Sequence, residues 1–224
     1  MDGVSGSSAK VQGVVSGSHR ARHWKLESKC DHSSGIPPND PGSFSDYSSP
    51  AVRLPDGSYV MDSMKIVHAI EKIYPEPSCH LDTGLQDEVE QLSAKVMQPL
   101  FPNMVLSITY NVLQEPSRSW CIEDRERRFG MSLKDFAEKM GGESAWKTAE
   151  PGMIEIKKLL TERKQDVGPF ILGSKVTYGD LMLGAWFQGM MCMDHQVYQR
   201  FLAFDESFGK FHEACKPWCL RDDH

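Results

Sequence analysis

The stretch DGSYVMDSMKIVHAIEKIYPEP, residues 56–77, decides how this chain is read. Pro55, just before it, presets the backbone for a turn, and Gly57 supplies a positive φ. With AVRL at 51–54 and SYVM at 58–61 on either side, the pattern predicts a β-hairpin. A helix follows at once. Ile66, Val67, Ile70 and Ile73 recur on one side from Ser63 onward. The run Tyr74-Pro75-Glu76-Pro77 stops it, because proline lacks the amide a helix needs and restricts its neighbour. Asp62 and Ser63 therefore stand where a strand becomes a helix. A carboxylate and a hydroxyl there either cap the helix or hold a ligand, and on the residues alone the cap is the simpler reading.

Upstream, the chain lacks apolar period. Gly and Ser dominate residues 1–18, SHRARHWKLESK at 18–29 is basic, and PPNDPGSFSDYSSP at 37–50 is turn chemistry. Residues 1–34 are expected to be a poorly ordered, aberrant segment, with at most short strands near 11–15 and 23–26. Downstream, from Leu85, the pattern is helical throughout. Val89, Leu92, Val96 and Leu100 make a stripe that Pro99 and Pro102 are expected to interrupt. A charged helix spans 117–130. Ser132 and Asp135 form a variant capping box for LKDFAEKM, closed by Gly141-Gly142. The next helix is expected over 149–163, with Pro151 in its first turn or at a kink. Thr177 with Asp180 three residues on is the best-formed helix start in the chain. The helix after it is apolar on most faces and is expected to lie inside. The organisation predicted is a partial α/β domain at 35–80 and an all-α domain at 85–224.

The totals exclude several functions. The 224 residues carry a net charge of −6 and a pI near 5.8, which is wrong for a nucleic-acid binder. The most apolar run, LMLGAWFQGMMCM at 181–193, is too short to span a bilayer and contains Gln188. Residues 1–13 have no apolar signal core, so a cytoplasmic location is the default expectation. The six cysteines and eight histidines show no metal-ligand spacing, and free thiols are the expected state. No metal is expected.

Four motifs, in this order and spacing, carry a resemblance. They are RLPDGSYVMDS at 53–63, RFGMSL at 128–133, GGESAW at 141–146 and RDDH at 221–224. With SPAV before the hairpin and FILGSKVTYGD before the buried helix, the chain resembles fungal glutathione transferase-like proteins, of the ustiloxin-pathway and β-etherase-like type. The resemblance covers roughly residues 35–224. It implies a thioredoxin-like N-terminal domain, here incomplete, followed by a helical bundle.

The resemblance also implies a site. Glutathione is the expected co-substrate. Its γ-glutamyl carboxylate would meet the Ser63 hydroxyl and the helix N-terminus, where free amides and the positive dipole end suit an anion. Asp62 would meet the ammonium. Pro50 matches a proline that the family keeps cis, and the Ser49 backbone would pair with the cysteinyl part. An apolar electrophilic small molecule is the expected partner, in a site between the domains and lined by the helical domain, where Met97, Met104 and Tyr110 are candidates, with plain core packing at least as good an account of each. A homodimer is left open. The family's catalytic Ser, Tyr or Cys follows an apolar first strand. Residues 1–25 show no such strand, and Ser5, Ser7, Ser8, Ser16 and Ser18 read as a flexible Gly/Ser tract. No residue is assigned the catalytic role. Conjugating activity is expected to be weak or absent, with glutathione or ligand binding without turnover as the alternative.

Overall fold

Residues 51–61 form the hairpin in the computed structural model, which describes Pro38 and residues 50–219. The ordering of 1–34, the short strands within it, Ser49 and the RDDH motif lie outside the described residues. Strand β1 (Ala51–Arg53) pairs antiparallel with β2 (Tyr59–Met61), Ala51 opposite Met61. The turn closes through Leu54, whose carbonyl accepts from the Gly57 amide at 2.9 Å and whose amide donates to Ser58 at 2.8 Å. The Asp56 carboxylate accepts from both the amide and the hydroxyl of Ser58, which holds it below the usual carboxylate range. Gly57 has φ +89°, a backbone state that costs other residues more.

Helix α1 (Ser63–Ile73) follows without a loop and buries Ile66 and Val67. Ile73 is exposed at its last turn, so the predicted stripe reaches the surface there. Glu71 then accepts from the Ser78 hydroxyl and the Cys79 amide. The described chain divides into two compact units, one ending at Cys79 and the next beginning at His80.

The second unit is helical. It runs through α2 (Leu85–Ser107), a π-helical turn (Ile108–Val112), α3 (Ser117–Phe129), α4 (Leu133–Met140), α5 (Gly142–Glu162), α6 (Tyr178–Met193), α7 (His195–Leu202) and α8 (Glu206–Cys215). Among its described residues there is no strand, only a single bridge between Phe170 and Gly173. This is the predicted fold class: a small sheet piece, then a helical bundle.

Two expectations are corrected. Pro99 and Pro102 do not interrupt α2, which runs through both. Packing outweighs the two lost amide donors: Val89, Leu92, Val96, Leu100 and Met104 are all buried against α5 and α6. Helix α5 starts at Gly142 rather than near 149, so Pro151 sits inside it. Gly141 ends α4 and caps α5 at once, and the Gly142 amide donates to Asn103 on α2 at 2.6 Å. Gly152 explains how closely α5 approaches α2: a Cβ there would lie 2.9 Å from the Val96 methyl. The Ser132 box forms in part. Its hydroxyl accepts from the Asp135 amide and donates to the Asp135 carboxylate, and the return bond to the Ser132 amide is not made.

The core of this unit gathers on α6. Phe187 meets Phe201 of α7 edge-on, with centroids 5.0 Å apart, and packs against Phe208 and Phe211 of α8. Helix α8 is capped by Asp205, and the Lys157 ammonium beside it brings that carboxyl down to about 2. The start of α6 is the Thr177 box, fully formed. The Thr177 hydroxyl accepts from the Asp180 amide, while Asp180 accepts from the Thr177 amide (2.8 Å), the Thr177 hydroxyl (2.7 Å) and the Ile171 amide (2.7 Å). Burial raises the Asp180 carboxyl above its ordinary range, and these bonds together with Lys164 pull it back.

Replacing Asp180 with Ala strands two buried amides. Each costs about 1–3 kcal/mol, so the variant is expected to lose roughly 3 kcal/mol or more of stability. Urea unfolding followed by helical circular dichroism measures it, and Asp180→Asn, which keeps one acceptor oxygen, should fall between.

Candidate functional site

The hairpin register sets the first site. Because Ala51 pairs with Met61, Pro50 and Asp62 lie one step beyond the last pair, at the same end of the sheet. Pro50 is half-buried, whereas Asp62 and Ser63 are exposed. Ser49, and with it the Ser49–Pro50 bond, lies outside the described residues.

Asp62 has φ 75° and ψ 123°, a conformation that non-glycine residues rarely adopt. Such a residue costs of order 1–3 kcal/mol and is found where surrounding structure enforces it. Here β2 fixes one side and α1 the other. One carboxylate oxygen, Oδ1, accepts from the Met64 amide at 2.9 Å and from the Lys65 amide at 3.4 Å. The Asp62 carbonyl accepts from Ile66 at 2.8 Å. The capping role is therefore real. It uses only part of the junction: Asp62 Oδ2, the Ser63 amide and the Ser63 hydroxyl have no hydrogen-bond partner among the described residues.

What remains is one exposed acceptor beside two exposed donors at the positive end of a helix. A carboxylate suits the donors. An ammonium suits the free oxygen. The junction is thus complementary to a group carrying both charges, such as the α-amino-acid end of a peptide.

A second feature lies in the helical unit. An open groove of about 500 Å³ is lined by Leu106, Ser107, Tyr110 and Asn111 on one side and by Asp194, His195 and Gln196 on the other. Tyr110 is 53% exposed. Its place follows from the π-helical turn, whose extra residue carries it off the stripe that α2 buries. Of the three candidate lining residues, only Tyr110 lines the groove. Met104 is wholly buried in the core and Met97 packs half-buried against it, since both continue the buried stripe of α2. Asp194 and His195 were not foreseen. Asp194 caps α7 through the Gln196 and Val197 amides, and that cap was the local signal available.

The described cysteines are all free. Burial, reinforced by the Glu71 carboxylate, pushes the Cys79 thiol up to about 11. Burial, reinforced by Asp180, pushes Cys215 to about 12. Neither is a thiolate near neutral pH. Among the described residues no cluster of His, Cys, Asp or Glu could hold a metal ion, and no helix is long and apolar enough to cross a membrane.

Comparison with known proteins places the fold. The chain superposes on a glutathione transferase of Phanerochaete chrysosporium with a TM-score of 0.66 at 25% identity, covering 80% of this chain and 74% of that one. It superposes on a glutathione S-transferase of Ceriporiopsis subvermispora, solved in complex with glutathione, with a TM-score of 0.67 at 23% identity, covering 80% and 75%. A second Ceriporiopsis subvermispora enzyme, also solved with glutathione, gives 0.59 at 24% identity, covering 76% and 70%. A search of the curated proteins gave no match. Residues 85–218, more than half of the chain, match the glutathione S-transferase C-terminal domain, and the protein belongs to that family.

Proposed function

We propose that the protein binds glutathione at the hairpin–α1 junction and is a glutathione transferase-like protein acting on an electrophilic small molecule, of the fungal ustiloxin-pathway or β-etherase-like type, in detoxification or secondary metabolism. The observation that carries this reading is the set at the junction without a hydrogen-bond partner among the described residues: Asp62 Oδ2 with the amide and hydroxyl of Ser63. Ser63 donates to the γ-glutamyl carboxylate. Asp62 Oδ2 accepts from the ammonium. The Ser49 backbone, beside Pro50, takes the cysteinyl part. The glutathione structures of relatives with this fold support the assignment.

In the reaction, the glutathione thiolate attacks the electrophilic carbon, a C–S bond forms, and the leaving group departs with its electron pair. The helical unit offers the acceptor the open groove at Tyr110. That lining is mostly polar, which favours an acceptor carrying hydrogen-bonding groups over a wholly apolar one. Binding without turnover is the second reading. It is favoured by the Gly/Ser-rich composition of residues 1–18, where no Ser has the context of a thiolate-stabilising group.

Substitution at the junction separates cap from ligand. Asn caps a helix about as well as Asp. Asp62→Asn should therefore leave the thermal midpoint nearly unchanged. It should weaken glutathione binding about tenfold or more, the scale of one charged hydrogen bond. Ser63→Ala should weaken binding similarly. Isothermal titration calorimetry reads both, and unchanged affinity in the double variant would reduce the junction to a cap.

Turnover is expected to be weak. A thiol of pKa about 8.5 is only a few per cent ionised near neutral pH, and holding its γ-glutamyl end does not change that. With a chloronitrobenzene acceptor, the absorbance rate at saturating glutathione should stay close to the uncatalysed rate. Saturable turnover lost on replacing one N-terminal Ser would instead identify the catalytic hydroxyl.

A further inference from the structure

We propose that His212 is a proton-operated latch: neutral, its imidazole ties α6, α7 and α8 together, and taking up a proton at Nδ1 unfastens α7. His212, on α8, is 3% exposed. Its Nδ1 lies 2.5 Å from the Tyr198 hydroxyl of α7, and its Nε2 lies 3.2 Å from Gln188 Oε1 of α6. A carboxamide oxygen only accepts, so Nε2 carries the hydrogen. Nδ1 is then the acceptor and the Tyr198 hydroxyl the donor. One neutral tautomer satisfies every polar atom of this set.

A proton on Nδ1 breaks that arrangement. It would point at the phenol oxygen, which must then turn its own hydrogen elsewhere. The surroundings offer little. From α6 come Gln188 and the Phe187 ring, 5.9 Å from the imidazole. From α7 comes Tyr198, with the exposed His195 ring 6.1 Å beyond it. From α8 itself come Glu213 and, just past its end, Lys216, which are paired with each other. Burial, then the Lys216 ammonium, lowers the His212 pKa below the ordinary value of 6.5, and Glu213 only partly opposes this. Burial, then Glu213, raises Tyr198, so its hydroxyl stays a donor.

Helix α7 is short, eight residues. Val197 and Phe201 anchor it in the core. Its polar ties are Tyr198 to His212 and Arg200 to Glu143, with the Arg200 guanidinium stacked 4.4 Å over Trp146. Its first turn, with Asp194, walls the groove opposite Tyr110. Losing one tie therefore loosens a groove wall, whether or not the protein turns glutathione over. The sign follows from the depressed pKa. Above the ordinary value of 6.5 the tie is complete. As pH falls from there toward the folded-state pKa, the unfolded imidazole binds protons that the folded one refuses, and the stability of this region is lost.

The test uses the full chain. Nitrogen-15 long-range imidazole spectra near pH 7.5 should show His212 as the Nε2–H tautomer, with a titration midpoint below the ordinary value of 6.5. Amide hydrogen exchange in α7, corrected for its intrinsic pH dependence, should lose protection about five- to tenfold between about pH 7.5 and about pH 5, the scale of one buried hydrogen bond, while α5 holds. Tyr198→Phe should show the low α7 protection already near neutral pH, without further pH response. His212→Gln cannot titrate and should remove the pH response. An Nδ1–H tautomer, pH-independent protection of α7 in the unmodified chain, or the same pH-dependent loss surviving in His212→Gln would each overturn the proposal. If His212→Gln does not fold, the tautomer and the Tyr198→Phe profile decide.

Discussion

The Asp180 carboxylate has no exposed surface and accepts from the Ile171 amide, the Thr177 amide and the Thr177 hydroxyl. A helix can start inside a protein only if its first amides find partners, because each buried unpaired amide costs about 1–3 kcal/mol. The Thr177 box answers that need for α6. It also draws the preceding loop down onto the helix through Ile171, itself fully buried. With its start satisfied, α6 can bury Leu183, Phe187 and Met190 completely, and α2, α7 and α8 pack onto it. The aromatic cluster of Phe187, Phe201, Phe208 and Phe211 gathers α7 and α8 against that helix. The packing of α6 therefore depends on one capping box.

Asp62 also serves a helix start, and it contrasts with Asp180. Both precede or open a helix beside a hydroxyl residue, and both accept backbone amides. Asp180 spends both oxygens inside the protein and is buried. Asp62 spends one, is exposed, and holds a backbone conformation that does not suit an aspartate. A residue kept in a costly conformation with an unused oxygen is poorly explained by capping alone, since Asp caps helices equally well with ordinary extended backbone. Exposure and strain distinguish Asp62 from the buried Asp180 and support the proposed ligand role. Neither is visible in the letters D-S.

Features of local chemistry were legible in the sequence. The hairpin turn at Asp56-Gly57, the start of α1 at Ser63, its stop at Tyr74-Pro75 and the Thr177 box all appear where turn and capping rules put them. The failures share one cause. Pro99 and Pro102 read as interruptions and Pro151 as a first-turn or kink residue, but packing of α2 on α5 carries both helices through their prolines. For Met104 the sequence leaves ligand wall and core packing open, and its place in the buried stripe of α2 makes it core. The groove joins the end of α2 to the start of α7, segments far apart in sequence, and its key residue sits in a π-helical turn that no period of 3.6 anticipates. His212 gave no signal at all, because its role exists only where three helices meet.

Binding and activation are separable in this architecture. On the proposed reading, Asp62 and Ser63 recognise the γ-glutamyl end of glutathione, several bonds away from the sulfur. Contacts there fix position and supply affinity, and they act equally on thiol and thiolate, so they leave the ionisation of the sulfur where it was. Shifting that ionisation requires a donor or a positive charge close to the sulfur itself. The protein's own buried thiols cannot substitute as nucleophiles, since burial holds Cys79 and Cys215 protonated at pKa values of about 11 and about 12. On the same reading the sulfur that reacts is that of glutathione, and the rate depends on a group that the junction does not contain. A chain with an intact junction can bind glutathione well and react slowly, and the two properties report on different parts of the molecule.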